Sequence, residues 1–206
     1  AFAIWDGRPG GAGHLFLCRD RLGIKPLYWA WAGDTLLFGS EIKALLVHPG
    51  LAAQASPQGV AAYLTFGYMP GADTLFRGVQ RLEPGTAMTV TPHSTRRRRY
   101  YSITPPAQAS QAPPEELYQQ LRDLLSDAVH LRLRSDVPLG VFLSGGVDSS
   151  AVVATLARSG RVKDQLQTFC IGFDIPGCEN EFEYARLVAE RYHTAHHERI
   201  LSPQEF

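Results

Sequence analysis

Pro138-Leu139-Gly140-Val141-Phe142-Leu143 runs without a break into Ser144-Gly145-Gly146-Val147-Asp148-Ser149-Ser150. With Val137, the first six residues form a nearly continuous apolar run, as expected of a strand covered on both faces. Helical character follows at once, over Asp148 to Ala157, and stops near Gly160. A buried strand that yields to a helix through a glycine-rich turn is the phosphate-site layout at the carboxyl edge of a parallel sheet. The first N–H groups of such a helix lack partners within it, and the peptide dipoles add partial positive charge there. Gly145 and Gly146 permit unusual dihedrals and let an anion approach with no Cβ in the way. Ser144, Ser149 and Ser150 offer hydroxyls to non-bridging oxygens.

Two common phosphate loops are excluded. A G-x-x-x-x-G-K-[ST] loop needs a lysine, and none lies between Lys43 and Lys163; G-x-G-x-x-G is also missing. Asp148 is the unusual member. A carboxylate would repel bare pyrophosphate, so it fits if Mg²⁺ sits between them or if it caps backbone N–H groups. A plain turn with an N-cap would account for Asp148 and one serine. It would not account for two glycines and three serines at the end of a strand.

Helix and strand alternate around this stretch. Leu117, Leu121, Leu124, Ala128 and Leu131 recur at spacings of four and three, one face of a helix. Leu166 to Phe173 reads as a second buried strand. Ala185, Val188, Ala189 and Tyr192 stripe another helix, and His196 to Leu201 reads as a third strand. The alternation predicts α/β structure, with a doubly wound parallel sheet. His193, His196 and His197 do not make a metal cluster in this reading, because His196 and His197 would point to opposite faces of a strand. Glu181, expected in the first turn of its helix, and Glu198 are left out of the site.

Further out, residues 105–114 are rich in proline and lack bulky apolar side chains, which marks a linker. It separates a unit 1–104 from a unit 115–206. The first unit reads as β-rich. Phe2 to Trp5 and Leu15 to Cys18 flank the loop Arg8-Pro9-Gly10-Gly11-Ala12-Gly13, and Leu27 to Ala32 and Thr35 to Phe38 suit a hairpin about Gly33-Asp34. Ser40 can N-cap a helix over Glu41 to Val47. Pro57 can open a helix over 57–66. Gly85 to Thr91 and Arg97 to Ile103 could pair. The run Arg96 to Arg99 reads as a charged strand end in solvent.

Composition narrows the function classes. The 206 residues are 45% apolar and 19% charged, which excludes wholesale disorder. No apolar run approaches the roughly 20 residues that span a bilayer, and the opening residues lack a signal-segment pattern. Twenty basic residues balance twenty acidic ones, which weighs against a nucleic-acid partner. Cys18, Cys170 and Cys178 are odd in number and lack a C-x-x-C spacing, so a reducing, cytoplasmic setting is expected. Because Ala1-Phe2-Ala3-Ile4-Trp5 begins in a strand pattern, a piece of a longer chain is also expected.

Ser144 to Ser150 resembles the S-G-G-x-D-S pyrophosphate loop of the N-type ATP pyrophosphatases. Other segments narrow the resemblance. Arg19-Asp20-Arg21-Leu22-Gly23-Ile24-Lys25-Pro26-Leu27-Tyr28 and Ser40-Glu41-Ile42-Lys43-Ala44-Leu45 resemble the late part of a class II glutamine amidotransferase domain. Leu64-Thr65-Phe66-Gly67-Tyr68, Leu82-Glu83-Pro84-Gly85 and Arg99-Tyr100-Tyr101 fit the junction after it. Ser135-Asp136-Val137 leads into the loop as in the glutamine-hydrolysing asparagine synthetases. The likeness runs over nearly the whole chain, with its motifs in the family's order.

The resemblance implies a truncated, β-rich glutaminase domain of the N-terminal-nucleophile type, followed by the start of a parallel-sheet ATP pyrophosphatase domain. It implies that backbone at Leu143 and Ile171 holds adenine. It implies that Ser144, Gly145, Gly146, Asp148 and Ser149 take the pyrophosphate, with Mg²⁺ at Asp148. The implied substrates are ATP, aspartate and glutamine, with no nucleic acid or membrane partner, and a homodimer is compatible with it. The implied reaction makes β-aspartyl-AMP and pyrophosphate, after which glutamine-derived ammonia displaces AMP to give asparagine. The alternatives are another acceptor carboxylate, as in β-lactam-forming or peptide- and sugar-modifying relatives, or a non-catalytic nucleotide-binding relative. The family's glutaminase uses an N-terminal Cys, whereas residue 1 here is Ala and Cys18 lies in a strand. No catalytic residue is therefore expected within 1–206, and these residues alone are expected to be inactive.

Overall fold

The computed structural model describes all residues except 9–12, 107, 109, 161–163, 178, 179 and 206. Most of the loop at 8–13, two linker positions, Lys163 and Cys178 thus lie outside the described residues. Two compact units emerge, Ala1–Ala107 and Gln108–Phe206. No helix among the described residues is long and apolar enough to cross a membrane.

The first unit is built on two antiparallel sheets. One has the order β1 (Phe2–Asp6), β2 (His14–Cys18), β6 (Thr86–Thr91), β7 (Ser94–Arg99). The other has the order β4 (Thr35–Gly39), β3 (Tyr28–Ala32), β5 (Val79–Arg81). Period-two alternation decides what lies between them. Leu17 faces Met88 across β2 and β6, and both meet Trp29, Leu27 and Leu82 in a common core. The opposite face of the second sheet buries Ala30, Ala32 and Val79 under Leu45 of α1 (Ile42–Leu46). A second helix, α2 (Pro57–Phe66), is held by Ser56, whose Oγ accepts the Gly59 N–H at 3.1 Å.

The Gly33-Asp34 hairpin forms as expected, with Gly33 at φ +58°. Two expectations in this unit shift. Ser40 does not cap α1: Glu41 keeps an extended backbone and the helix opens at Ile42, with no side-chain cap. β6 pairs with Ser94–Arg99 and not with Arg97 to Ile103, because the chain reverses at Pro92-His93 and sets Thr91 opposite Ser94. Arg96 to Arg99 lie on this exposed edge strand. Arg97 turns over the Trp29 ring at 5.8 Å and Arg99 pairs with Glu83 at 3.0 Å.

Among its described residues the second unit holds three α-helices, α3 (Pro114–Leu131), α4 (Val147–Ser159) and α5 (Phe182–Tyr192), and three parallel strands. The strands are β8 (Gly140–Phe142), β9 (Gln167–Phe173) and β10 (Ala195–Leu201), in the order β10-β9-β8. Pro113 and Pro114, read as linker, are the cap and first residue of α3, where a missing N–H costs nothing. Thr168, Cys170 and Gly172 of β9 are buried beneath the helices, with Val129, Val153, Leu156, Ala185 and Ala189 in the same core.

Parallel pairing meets the expectation, but double winding does not appear among the described residues. Both crossovers advance the same way, β8 to β9 to β10, so right-handed connections place α4 and α5 on one face. The reversal that would send helices to the other face is not among the described strands. Among the described residues β8 is not covered on both faces. It is three residues long, lies at the sheet edge, and Phe142 is 72% exposed. The predicted stripe on α3 also faces outward: Leu121 and Leu124 are exposed, while Leu125 and Val129 join the core.

Candidate functional site

At the carboxyl end of β8 the chain enters the core once more and then leaves it. Leu143 is 1% exposed, and its N–H donates to the Phe169 carbonyl at 2.8 Å. That bond extends the β8–β9 ladder by one rung and points Ser144 out of the sheet. Gly145 then takes φ +78°, and Gly146 returns to extended backbone (φ −66°, ψ 162°) as the residue before α4. No side chain caps this helix start. The first helical backbone bond runs from Ser150 N–H to the Gly146 carbonyl at 3.0 Å, so the N–H groups of Val147, Asp148 and Ser149 have no acceptor within the helix.

The two glycines do different things. A Cβ on Gly145 would lie 2.4 Å from Tyr184 Cβ and 2.6 Å from the Ala185 backbone N. The missing side chain of Gly145 therefore makes room for α5, which corrects the expectation that it clears a path for an anion. A Cβ on Gly146 would meet only Ser144 Oγ, at 3.4 Å. Gly146 is the position where the backbone of the loop is bare.

The serines also divide. Ser144 Oγ accepts the Gly146 N–H at 3.3 Å and lies 3.2 Å from Ser149 Oγ, which in turn donates to the Gly146 carbonyl at 3.2 Å. These two hydroxyls hold each other at the mouth of the loop. Ser150 differs from the expectation: its Oγ is buried and has no hydrogen-bond partner among the described residues, so it turns away from the mouth. Asp148 is exposed in the first turn of α4. No group of three or more His, Cys, Asp or Glu gathers to hold a metal among the described residues. The loop thus fits an anion that brings its own counter-ion: bare N–H groups, two hydroxyls and one free carboxylate at its rim.

Ile171 lies on β9 beyond the end of β8, half-exposed on the face away from the helices. Backbone groups in a strand alternate sides. Phe169 directs its carbonyl toward β8, so Ile171, two residues on, directs its N–H and C=O the same way, where β8 has ended.

Residues left out of the site are accounted for elsewhere. Glu181 is the residue before α5, not in its first turn, because its backbone (φ −86°, ψ 22°) is not yet helical. Glu198 is held by Arg186 through two bonds of 2.8 and 2.6 Å, which keep its carboxyl below the usual range. His196 and His197 take opposite faces as expected: His196 Nδ1 meets Thr168 Oγ1 at 2.9 Å, and His197 stacks on Phe169 with ring centroids 5.0 Å apart. His193 ends α5 with φ +52°. Burial pushes the Cys170 thiol up, and Cys18 closes β2. The seating of Tyr184 and Ala185 against Gly145 was not legible in the sequence, where α5 shows only its own apolar stripe.

Residues 1–101 match the glutamine amidotransferase domain and residues 120–206 match asparagine synthase. The chain belongs to the glutamine-hydrolysing asparagine synthetase family. Among similar curated proteins, a putative asparagine synthetase [glutamine-hydrolyzing] 2 of Methanocaldococcus jannaschii is 33% identical over all of this chain and 39% of its own length. Asparagine synthetase [glutamine-hydrolyzing] 1 of Bacillus subtilis is 32% identical over all of the chain and 31% of its own length. The amidase chyE of Penicillium rubens is 32% identical over 92% of the chain and 29% of its own length. The chain therefore spans between 29% and 39% of the length of these three relatives.

Proposed function

We propose that the chain contributes to an ATP-dependent amidoligase that activates aspartate and passes it to glutamine-derived ammonia. The observation that carries this reading is the uncapped, exposed turn 144–149 between a parallel strand and its helix. In this reading the N–H groups of Val147, Asp148 and Ser149, with the Ser144 and Ser149 hydroxyls, would receive a pyrophosphate tail. Leu143 and Ile171 lie at the adjoining strand ends, where their backbone would take the base.

In this reading the aspartate side-chain carboxylate attacks the α-phosphorus, giving β-aspartyl-AMP and pyrophosphate, and ammonia then displaces AMP. The loop's task is to hold the leaving pyrophosphate and offset the charge that grows on it, a contribution that dominates such transfers. Asp148 would hold Mg²⁺, whose remaining ligands would be phosphate oxygens and water, the usual arrangement for this ion. A cytoplasmic setting belongs to the same reading, since Cys18 and Cys170 carry free thiols.

A second acceptor is favoured by one observation: a relative of comparable identity is named an amidase and not an asparagine synthetase. Pyrophosphate exchange in the whole protein, with aspartate against other carboxylates, separates the two. The mechanism itself is tested by Asp148→Ala. The expected result is a loss of about a hundredfold or more in Mg²⁺-dependent pyrophosphate release, with unchanged circular dichroism. Wild-type rates in that variant would remove Asp148 from the site.

A further inference from the structure

Among the described residues, the carboxyl end of β9 has a strand neighbour on one side only. Toward β10 the ladder continues to the end, where the Asp174 N–H donates to the Leu201 carbonyl at 2.9 Å. Toward β8 it stops at the bond from Leu143 N–H to Phe169. Two residues later in the same direction come Ile171 and then Phe173. At Phe173 a side chain takes the place of the absent strand. Asn180 Oδ1 accepts the Phe173 N–H at 2.8 Å, and Asn180 Nδ2 donates to the Phe173 carbonyl at 3.1 Å. One carboxamide thus makes both bonds that a strand peptide would make. Gly172 gives it room: a Cβ there would lie 2.6 Å from Asn180 Oδ1 and 2.5 Å from Phe182 Cζ.

The backbone of Ile171 is therefore bracketed, by the Leu143 bond on one side and the Asn180 clamp on the other. Between them one N–H and one C=O face the side where β8 has ended, a donor and an acceptor at fixed spacing. Such a pair suits the edge of a planar base.

We propose that Asn180 is a positioning residue of the nucleotide site, which keeps the end of β9 straight so that Ile171 can read the base. This rests on the reading that the loop binds ATP. Asn180 touches no nucleotide itself. Its loss acts on base recognition and leaves the loop's hold on phosphates in place.

The test compares wild type and Asn180→Ala in the whole protein, measuring KM for ATP and for GTP, kcat, and inhibition by inorganic pyrophosphate. Asn180→Ala is expected to raise KM for ATP about tenfold, with kcat changed far less, as when ground-state and transition-state binding are lost alike. The ATP-over-GTP preference falls by a similar factor, while pyrophosphate inhibition stays within about twofold. A merely structural role would weaken all ligands together and leave the preference unmoved, and that result overturns the proposal. If Asn180→Ala does not fold, the near-isosteric Asn180→Asp gives the same reading, because it keeps the acceptor and loses the donor to Phe173. A wild-type protein with no affinity for ATP would overturn the loop reading itself. Wild-type binding with an unchanged base preference in both variants would overturn only the role of Asn180.

Discussion

Gly145 and Gly146 stand next to each other, and the structure separates what each contributes. At Gly145, φ +78° and the backbone of α5 both forbid a side chain. Gly145→Ala should cost about 3 kcal/mol or more, since left-handed strain and a backbone clash add. Gly146→Ala has allowed dihedrals and open space, so its stability should fall by no more than about 1 kcal/mol. Its methyl would instead stand beside Ser144 Oγ at the mouth of the loop and weaken anion binding. Chemical denaturation and ATP titration of both variants check this, and equal effects on stability would contradict it. Asp20 gives a pH signature at the same scale. Its carboxylate accepts N–H bonds from Lys25 (3.0 Å), Ile24 (2.9 Å) and Leu22 (3.2 Å), which pull its pKa down to about 2. The folded value lies below the ordinary one, so the stability it lends is complete above about pH 4 and is lost as pH falls toward 2. Asp20→Asn should melt below wild type at pH 7 and converge with it near pH 2. A gap that is constant with pH would contradict that assignment.

Among the elements, α2 shows how much a cap can matter. Its only buried residue is Gly59, so packing does little to hold it. The Ser56 bond to Gly59 N–H therefore carries a large share, and Ser56→Ala should cost about 1 kcal/mol, read as a lower melting temperature. An unchanged melting temperature would place the stability of α2 elsewhere. Elements also show where sequence was a good guide. Pro57 at a helix start, Gly33-Asp34 at a hairpin and Gly160 at a helix end each impose a local backbone, and each lies where its chemistry predicts. Ser40 did not become a cap, because that choice depends on the backbone angle of the next residue. The exposed leucines of α3 have the same cause: periodicity shows that a helix has an apolar face, but not which elements cover it.

At the scale of the whole molecule, parallel pairing and the place of the loop at the carboxyl end of β8 were legible from alternation and from Ser144 to Ser150. The extent of winding was not. An apolar run reads alike whether one or both faces of its strand are covered, and only the order β10-β9-β8 shows that the helices fall on one side. The candidate site was legible because it is local. Its chemistry sits in contiguous residues, whereas the packing of α5 on Gly145 and the clamp at Phe173 join residues far apart in sequence. The most direct test of the whole account is amide hydrogen exchange of the protein with and without ATP and Mg²⁺. Slower exchange confined to residues 146–149 and Ile171 is predicted. Unaltered exchange at those amides, under conditions where the protein binds ATP, would contradict it.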